Sequence, residues 1–124
     1  MMDNSKIVER VRWKDVENFV NGLANGQTFT GVYGLPRGGL VLAVMASHRL
    51  GIPLLAAPIK GCLIVDDICD SGESLLHYAK NSSGDENFDY YIATMYYKPG
   101  SCVHPDFYYA VKRNNWIVFP WESI

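Results

Sequence analysis

The sequence predicts an α/β protein, a mostly parallel sheet flanked by helices, in a chain of 124 residues. Three observations lead there. Short apolar runs alternate with stretches of helical spacing. The run Leu63-Ile64-Val65 is apolar without alternation, as a strand covered on both faces must be. Glycines cluster at Gly34, Gly38, Gly39 and Gly72, where apolar runs hand over to helical patterns. With 48% apolar and 19% charged residues and no linker or repeat, residues 1–124 read as one domain with a single core.

Taken in order, Lys6 to Trp13 alternates and predicts a strand. Lys14 to Leu23 then places Val16, Phe19, Val20 and Leu23 on one face of a helix that Asn25-Gly26 ends. Strands near Thr28 to Tyr33, Pro53 to Ala57, Gly61 to Asp66 and Tyr90 to Tyr96 alternate with helices near Gly39 to Leu50 and Ser74 to Asn81. The short Gly51-Ile52-Pro53 connection suits a right-handed crossover, and Ser82 to Asn87 reads as an exposed polar loop. Lys98 to Ile124 is aromatic and irregular. Its run Trp116-Ile117-Val118-Phe119-Pro120-Trp121-Glu122 is too Pro-interrupted for a plain helix.

Composition also excludes. A net charge of −2 without a basic run or zinc-finger spacing argues against nucleic-acid binding. No stretch approaches the roughly 20 apolar residues of a membrane span, and Met1-Met2-Asp3-Asn4-Ser5 lacks the features of a leader, so a cytoplasmic location is expected. Cys62, Cys69 and Cys102 are odd in number and lack C-x-x-C spacing, which predicts reduced core thiols. His48, His77 and His104 have no metal-ligand spacing.

Two segments carry chemistry. Following Leu63-Ile64-Val65, Asp66 and Asp67 should emerge at the carboxyl end of a strand, where open α/β sheets bind ligands. Asp70, Ser71, Gly72, Glu73 and Ser74 can then turn the chain into a helix, with N–H groups and hydroxyls converging on an anion. Together they offer a hydroxyl- or metal-binding part and a phosphate-binding part; the plainer alternative is a solvated turn or helix cap. Upstream, Pro36, Arg37, Gly38 and Gly39 join an apolar run to a helical pattern. Glycines there permit close backbone approach to a ligand, and Arg37 brings a planar cationic fork suited to pyrophosphate oxygens. Alone, this segment would be an ordinary glycine-rich turn with a surface arginine.

The run from Leu63 to Ser74 resembles the phosphoribosyl-pyrophosphate (PRPP) signature of the type I phosphoribosyltransferases, and Arg37-Gly38-Gly39 resembles the pyrophosphate loop of that family. The resemblance implies the type I phosphoribosyltransferase fold with a small aromatic C-terminal hood. It implies that Asp66 and Asp67 face the ribose hydroxyls and Mg2+, that Asp70 to Ser74 wrap the 5-phosphate, and that Asp70 handles a proton near N7 of a purine. It also implies a cis peptide between Pro36 and Arg37. The terminal run is similar to the base-binding end of bacterial xanthine-guanine phosphoribosyltransferases; by that likeness Lys98 donates to an exocyclic oxygen, Trp116 stacks on the base, and Ile117 and Glu122 help read its edge. Trp116 and Trp121 could equally be core residues, the base-binding reading being preferred for Trp116 and the core reading for Trp121.

The implied activity is Mg2+-dependent transfer of phosphoribose from PRPP to a 6-oxopurine such as guanine, xanthine or hypoxanthine, by a homo-oligomer, dimer or tetramer, with Asp70 and Arg37 as the catalytic residues. One departure stands out. Active members of the family usually carry a long flexible loop before the PRPP strand, whereas only Ala56 to Gly61 separates Leu55 from Cys62 here. This leaves a slower enzyme, an enzyme whose lid comes from elsewhere, or a non-catalytic PRPP- or nucleotide-binding module as alternatives. Lys60 could offer a residual cationic contact or be an ordinary loop lysine.

Overall fold

The computed structural model describes residues 7–79 and 90–122. Its elements are β1 (Val8–Arg10), α1 (Trp13–Gly22), β2 (Val32–Gly34), α2 (Gly38–Leu50), β3 (Cys62–Cys69), α3 (Glu73–Leu76), β4 (Tyr90–Tyr97), β5 (Phe107–Val111) and β6 (Trp116–Val118). Strands β2 to β5 form one sheet in the order β2-β3-β4-β5, with every pair parallel. The remaining two strands, β1 and β6, pair with each other, also in parallel.

Alternation along β3 explains its unbroken apolar run. Leu63 and Val65 pack with Val16, Phe19, Leu42, Ala43 and Ala46 of the two long helices, while Cys62 and Ile64 face Leu75, Ile92 and Val103 on the other side. All four are fully buried. Each apolar side chain removed from water in this way contributes about 1.5–3 kcal/mol, so β3 is the anchor on which the site is built. Helix α2 ends where Gly51 takes a left-handed φ of 65° and returns its N–H to the Ser47 carbonyl at 3.0 Å.

Several expected elements are revised. The strand expected from Lys6 to Trp13 contracts to β1, because Trp13 already opens α1, whose start is fixed by Asp15 accepting the Arg12 backbone N–H at 3.0 Å. Thr28 to Tyr33 yields only β2, and Pro53 to Ala57 is no strand: Leu54 makes an isolated bridge to Val32. Pro53 has no N–H to give. Its carbonyl accepts from Val32 at 2.9 Å, and Leu55 donates back to Val32 at 2.8 Å. The helix expected over Ser74 to Asn81 is the single turn α3, and its last positions, with the Ser82 to Asn87 loop, lie outside the described residues. Lys98 to Ile124 is not irregular throughout, since it contains β5 and β6. The hood is consequently built from both ends of the sequence rather than from the C-terminal run alone. Cys62 and Cys69 are buried as expected, but Cys102 is exposed. No helix among the described residues is long and apolar enough to cross a membrane.

Candidate active site

Asp66 and Asp67 lie inside β3, which runs on to Cys69 rather than ending before them. Their accessibility comes from the neighbouring strand. The ladder of β2 stops with Gly34 opposite Val65, and beyond it the chain folds over as the Leu35 to Gly39 loop, with Leu35 donating to the Val65 carbonyl at 2.9 Å and Gly39 to Leu35 at 2.8 Å. Both glycines are needed there. A Cβ on Gly38 would lie 2.2 Å from Asp67 Oδ2, and one on Gly39 would lie 2.2 Å from the Val65 carbonyl oxygen. The two segments singled out in the sequence are thus in direct contact. The Pro36–Arg37 peptide bond is cis, as the resemblance implied, and Arg37 is exposed.

The carboxylate pair is electrostatically loaded. Asp66 Oδ1 accepts the Asp67 N–H at 2.9 Å, and Asp67 Oδ1 accepts the Ile68 N–H at 2.8 Å. Burial first, and the charge of Asp67 second, push the Asp66 carboxyl from an ordinary 3.8 up to about 8. Thr94, the register partner of Asp66 on β4, keeps a buried hydroxyl with no hydrogen-bond partner among the described residues. Two adjacent carboxylates fit Mg2+, which takes hard oxygen donors and usually keeps most of its coordination for substrate oxygens and water. The described residues contain no group of three or more metal-ligating side chains that would form a closed protein cage.

Downstream, Gly72 adopts a φ of +88°, open to glycine, and a Cβ there would lie 2.8 Å from the Val103 nitrogen. Ser71 Oγ accepts the Glu73 N–H at 3.2 Å, and Gly72 is the N-cap of α3. A cavity of about 80 Å³ opens between Asp66, Asp70, Ser71, Gly72 and Ser74, room for a phosphate group. Glu73 does not line it. The loop is held from behind by residues that sequence reasoning missed. Cys102 donates its N–H to the Ser71 carbonyl at 2.8 Å, and the Ser101 hydroxyl reaches the carbonyls of Cys69 (3.1 Å) and Asp70.

Lys98 follows β4, and its Nζ stands 3.6 Å from Asp70 Oδ1. A second lysine, Lys112, stands 3.6 Å from Asp70 Oδ2. On the hood, Trp116 is 58% exposed and Ile117 is buried. Glu122 closes its own turn, with Oε1 accepting the Phe119 N–H at 2.7 Å and its N–H returning to the Phe119 carbonyl at 3.0 Å. Trp121 stacks on Phe119 (centroids 4.9 Å apart, planes at 10°) and packs against the core, as expected. Glu9 ties the hood to the sheet: it accepts the Tyr96 hydroxyl and the Asn115 side-chain amide, each at 2.6 Å.

No family model matches the chain. Individual relatives do. The chain is 31% identical over 118 residues to a xanthine-guanine phosphoribosyltransferase of Cereibacter sphaeroides, covering 73% of this chain and 68% of that protein. It is 26% identical over 151 residues to the enzyme of the same name from Desulfotalea psychrophila, covering 99% of this chain and 91% of the other. That aligned span exceeds the 124 residues available here, so the Desulfotalea enzyme carries residues with no counterpart in this chain. Among solved structures, the purine phosphoribosyltransferase of Pyrococcus horikoshii matches with a TM-score of 0.76 and 31% identity over 94% of this chain and 95% of that one. The xanthine-guanine-hypoxanthine phosphoribosyltransferase of Helicobacter pylori shares the fold, with a TM-score of 0.70 at 19% identity. Sequence likeness and backbone likeness thus point to the same enzymes, and the chain belongs to the type I phosphoribosyltransferase family, beside its xanthine-guanine and other purine members.

Proposed function

We propose that this phosphoribosyltransferase moves the 5-phosphoribosyl group from PRPP to a 6-oxopurine and releases pyrophosphate. The observation that carries the reading is the seating of the Pro36 to Gly39 loop on the Asp67 carboxylate, beside a phosphate-sized cavity at the carboxyl ends of a parallel sheet. In that arrangement Ser71, Gly72, Ser74 and the Glu73 backbone take the 5-phosphate, Asp66 and Asp67 hold the ribose hydroxyls and the metal, and Arg37 with Gly38 and Gly39 takes the pyrophosphate. Bound Mg2+ would add charge neutralisation on the leaving oxygens.

A purine nitrogen displaces pyrophosphate at C1 of the ribose. Positive charge develops on the sugar, as in glycoside cleavage, while negative charge grows on the leaving group, which Arg37 stabilises. Asp70 accepts the base proton, Lys98 donates to the exocyclic oxygen, and Trp116 stacks on the ring above the Ile117 backbone. Glu122 supports that edge through the turn it closes. No protein nucleophile takes part. Cys69, the thiol nearest in sequence, is buried, engages the Val103 carbonyl at 3.4 Å, and has its ionisation pushed up by that burial.

The connection from Gly51 to Gly61 is short where family members carry a lid. Less water exclusion slows the reaction without removing the groups that perform it. We place the enzyme in the cytoplasm as a homo-oligomer, dimer or tetramer, without nucleic-acid or membrane partners. Its net charge of −2 supports the former absence, and Leu40 and Val44, exposed one turn apart on α2, support a subunit contact.

The test is mass spectrometry after incubating the protein with Mg2+, PRPP and a mixture of guanine, xanthine, hypoxanthine and adenine. A 6-oxopurine nucleotide that disappears with Asp70→Asn is the expected result. Absence of nucleotide, with Mg2+-dependent PRPP binding intact by calorimetry, would replace the enzyme by a binding module; adenosine monophosphate alone would overturn the acceptor assignment.

A further inference from the structure

Asp70, Lys98 and Lys112 each directly follow the paired end of a strand. Cys69 of β3 is in register with Tyr97 of β4, and Tyr97 with Val111 of β5. Backbone bonds from Lys98 N–H to the Cys69 carbonyl (2.9 Å) and from Lys112 N–H to the Tyr97 carbonyl (2.8 Å) carry the ladder through that level. Three adjacent parallel strands therefore deliver one carboxylate and two ammoniums to a single row at the ligand-binding edge of the sheet.

The two lysines are not equivalent. Each Nζ lies 3.6 Å from a different oxygen of Asp70, but the Lys98 side chain is 44% exposed and that of Lys112 only 14%. Lys112 Nζ is held further by the Arg113 carbonyl at 3.5 Å. Its covered stem leaves few alternative rotamers, whereas Lys98 is free to swing toward a ligand. One carboxylate facing two ammoniums has a cation to spare.

We propose that Lys112 is a positioning residue for Asp70, keeping the carboxylate oriented and charge-balanced while Lys98 leaves it for the purine. This rests on the roles given above to Asp70 and Lys98 in phosphoribosyl transfer. The N–H donors that Lys98 turns to the exocyclic oxygen of the base are withdrawn from Asp70. Lys112, with its side chain covered and its Nζ 3.6 Å from Asp70 Oδ2, keeps the carboxylate paired meanwhile. Lys112 does not touch the substrate; it acts through Asp70, and so affects turnover rather than capture of the base.

Steady-state kinetics tests the division. Lys112→Met is expected to lower kcat about tenfold or more with the KM for purine unchanged within about twofold, and Lys112→Arg, which keeps a charge that can fork onto the carboxylate, to recover most of kcat. Lys98→Met is expected to act mainly on the KM for purine. Thermal melts accompany each variant, and Lys112→Gln replaces the methionine variant if that one does not fold. Wild-type kinetics in the Lys112 variants, a loss carried by KM, or no recovery with arginine overturns this proposal alone. A wild-type enzyme that forms no nucleotide overturns the functional reading and this proposal with it.

Discussion

Alanine at Gly38 and alanine at Gly39 should have opposite consequences, although the two positions are adjacent in the first turn of α2. At Gly38 the new Cβ meets Asp67 Oδ2 at 2.2 Å and Cγ at 2.4 Å, the far end of a side chain that can rotate away. Rotation surrenders the Ile68 N–H bond to Asp67 Oδ1 (2.8 Å), worth about 0.5–1.5 kcal/mol. Alanine in a helix returns roughly 0.5–1 kcal/mol relative to glycine. The balance is within about 1 kcal/mol of wild type, but with Asp67 displaced. At Gly39 the Cβ meets the Val65 carbonyl at 2.2 Å and the Asp66 Cα at 3.1 Å, which is backbone in the middle of the sheet, paired to β4 and bonded by Leu35. Nothing there can rotate, so overpacking should cost about 3 kcal/mol, the upper part of its usual range. Urea unfolding followed by circular dichroism measures the stabilities, and calorimetry measures affinity for Mg2+-PRPP. Gly38→Ala is expected to fold with near wild-type stability and bind at least about tenfold more weakly, equivalent to about 1.4 kcal/mol; Gly39→Ala is expected to be severely destabilised. Wild-type affinity in Gly38→Ala, or wild-type stability in Gly39→Ala, would refute the packing argument.

Other expectations concern the charges and the hood. Asp70→Asn should lower turnover about 100-fold with little change in calorimetric PRPP affinity, whereas Asp66→Ala should weaken the Mg2+-PRPP complex itself; equal losses in both assays for Asp70→Asn would reject the division of roles. The Asp66 carboxyl titrates at about 8 in the fold against an ordinary 3.8. Between those values the folded state holds a proton that the unfolded state has released, so the contribution of Asp66 to stability falls as pH rises. Unfolding free energies of wild type and Asp66→Asn, compared near pH 5 and near pH 8, should show a flatter dependence and a gain at the higher pH for the variant; identical dependence in both proteins would count against it. Tyr96→Phe removes the 2.6 Å bond to Glu9 and should cost about 1.5–3 kcal/mol, the worth of a hydrogen bond to a charged group, seen as a lower melting temperature. An unchanged melt would mean that the hood is held by packing alone.

The arrangement of the Asp66 to Ser74 segment was legible because its residues cooperate over short stretches of chain. Leu63 to Ser74 contains the strand, the carboxylates, the left-handed N-cap glycine and the serine before it in sequence, so local chemistry orders them, while Ser101 and Cys102 brace the loop from further along the chain. Gly38 and Gly39 were read as permitting close approach to a ligand, whereas what they lie against in the structure is the chain itself, Asp67 and Val65. Lys112, Ser101 and Glu9 escaped notice because their partners, Asp70, Cys69 and Tyr96, are distant in sequence, and a single lysine after an aromatic run resembles any surface lysine. The edge strand β5 was lost for a related reason: its burial alternates imperfectly, with both Tyr108 and Tyr109 exposed. Pro53 to Ala57 erred in the other direction. There an apolar composition suggested a strand where proline left only one bridge to make.

Cys102 stands apart from the other two thiols. It is exposed, its backbone N–H clasps Ser71, and its Sγ lies 3.0 Å from where a Gly72 Cβ would be. Cys62 and Cys69 are buried, and burial suppresses ionisation of both. An alkylating reagent applied to the native protein therefore finds one address, directly behind the loop proposed to wrap the 5-phosphate. The chain carries its own chemical reporter: the rate at which a maleimide consumes Cys102 reads the mobility of that loop, and its slowing on addition of a sugar phosphate measures occupancy without turnover, base or label.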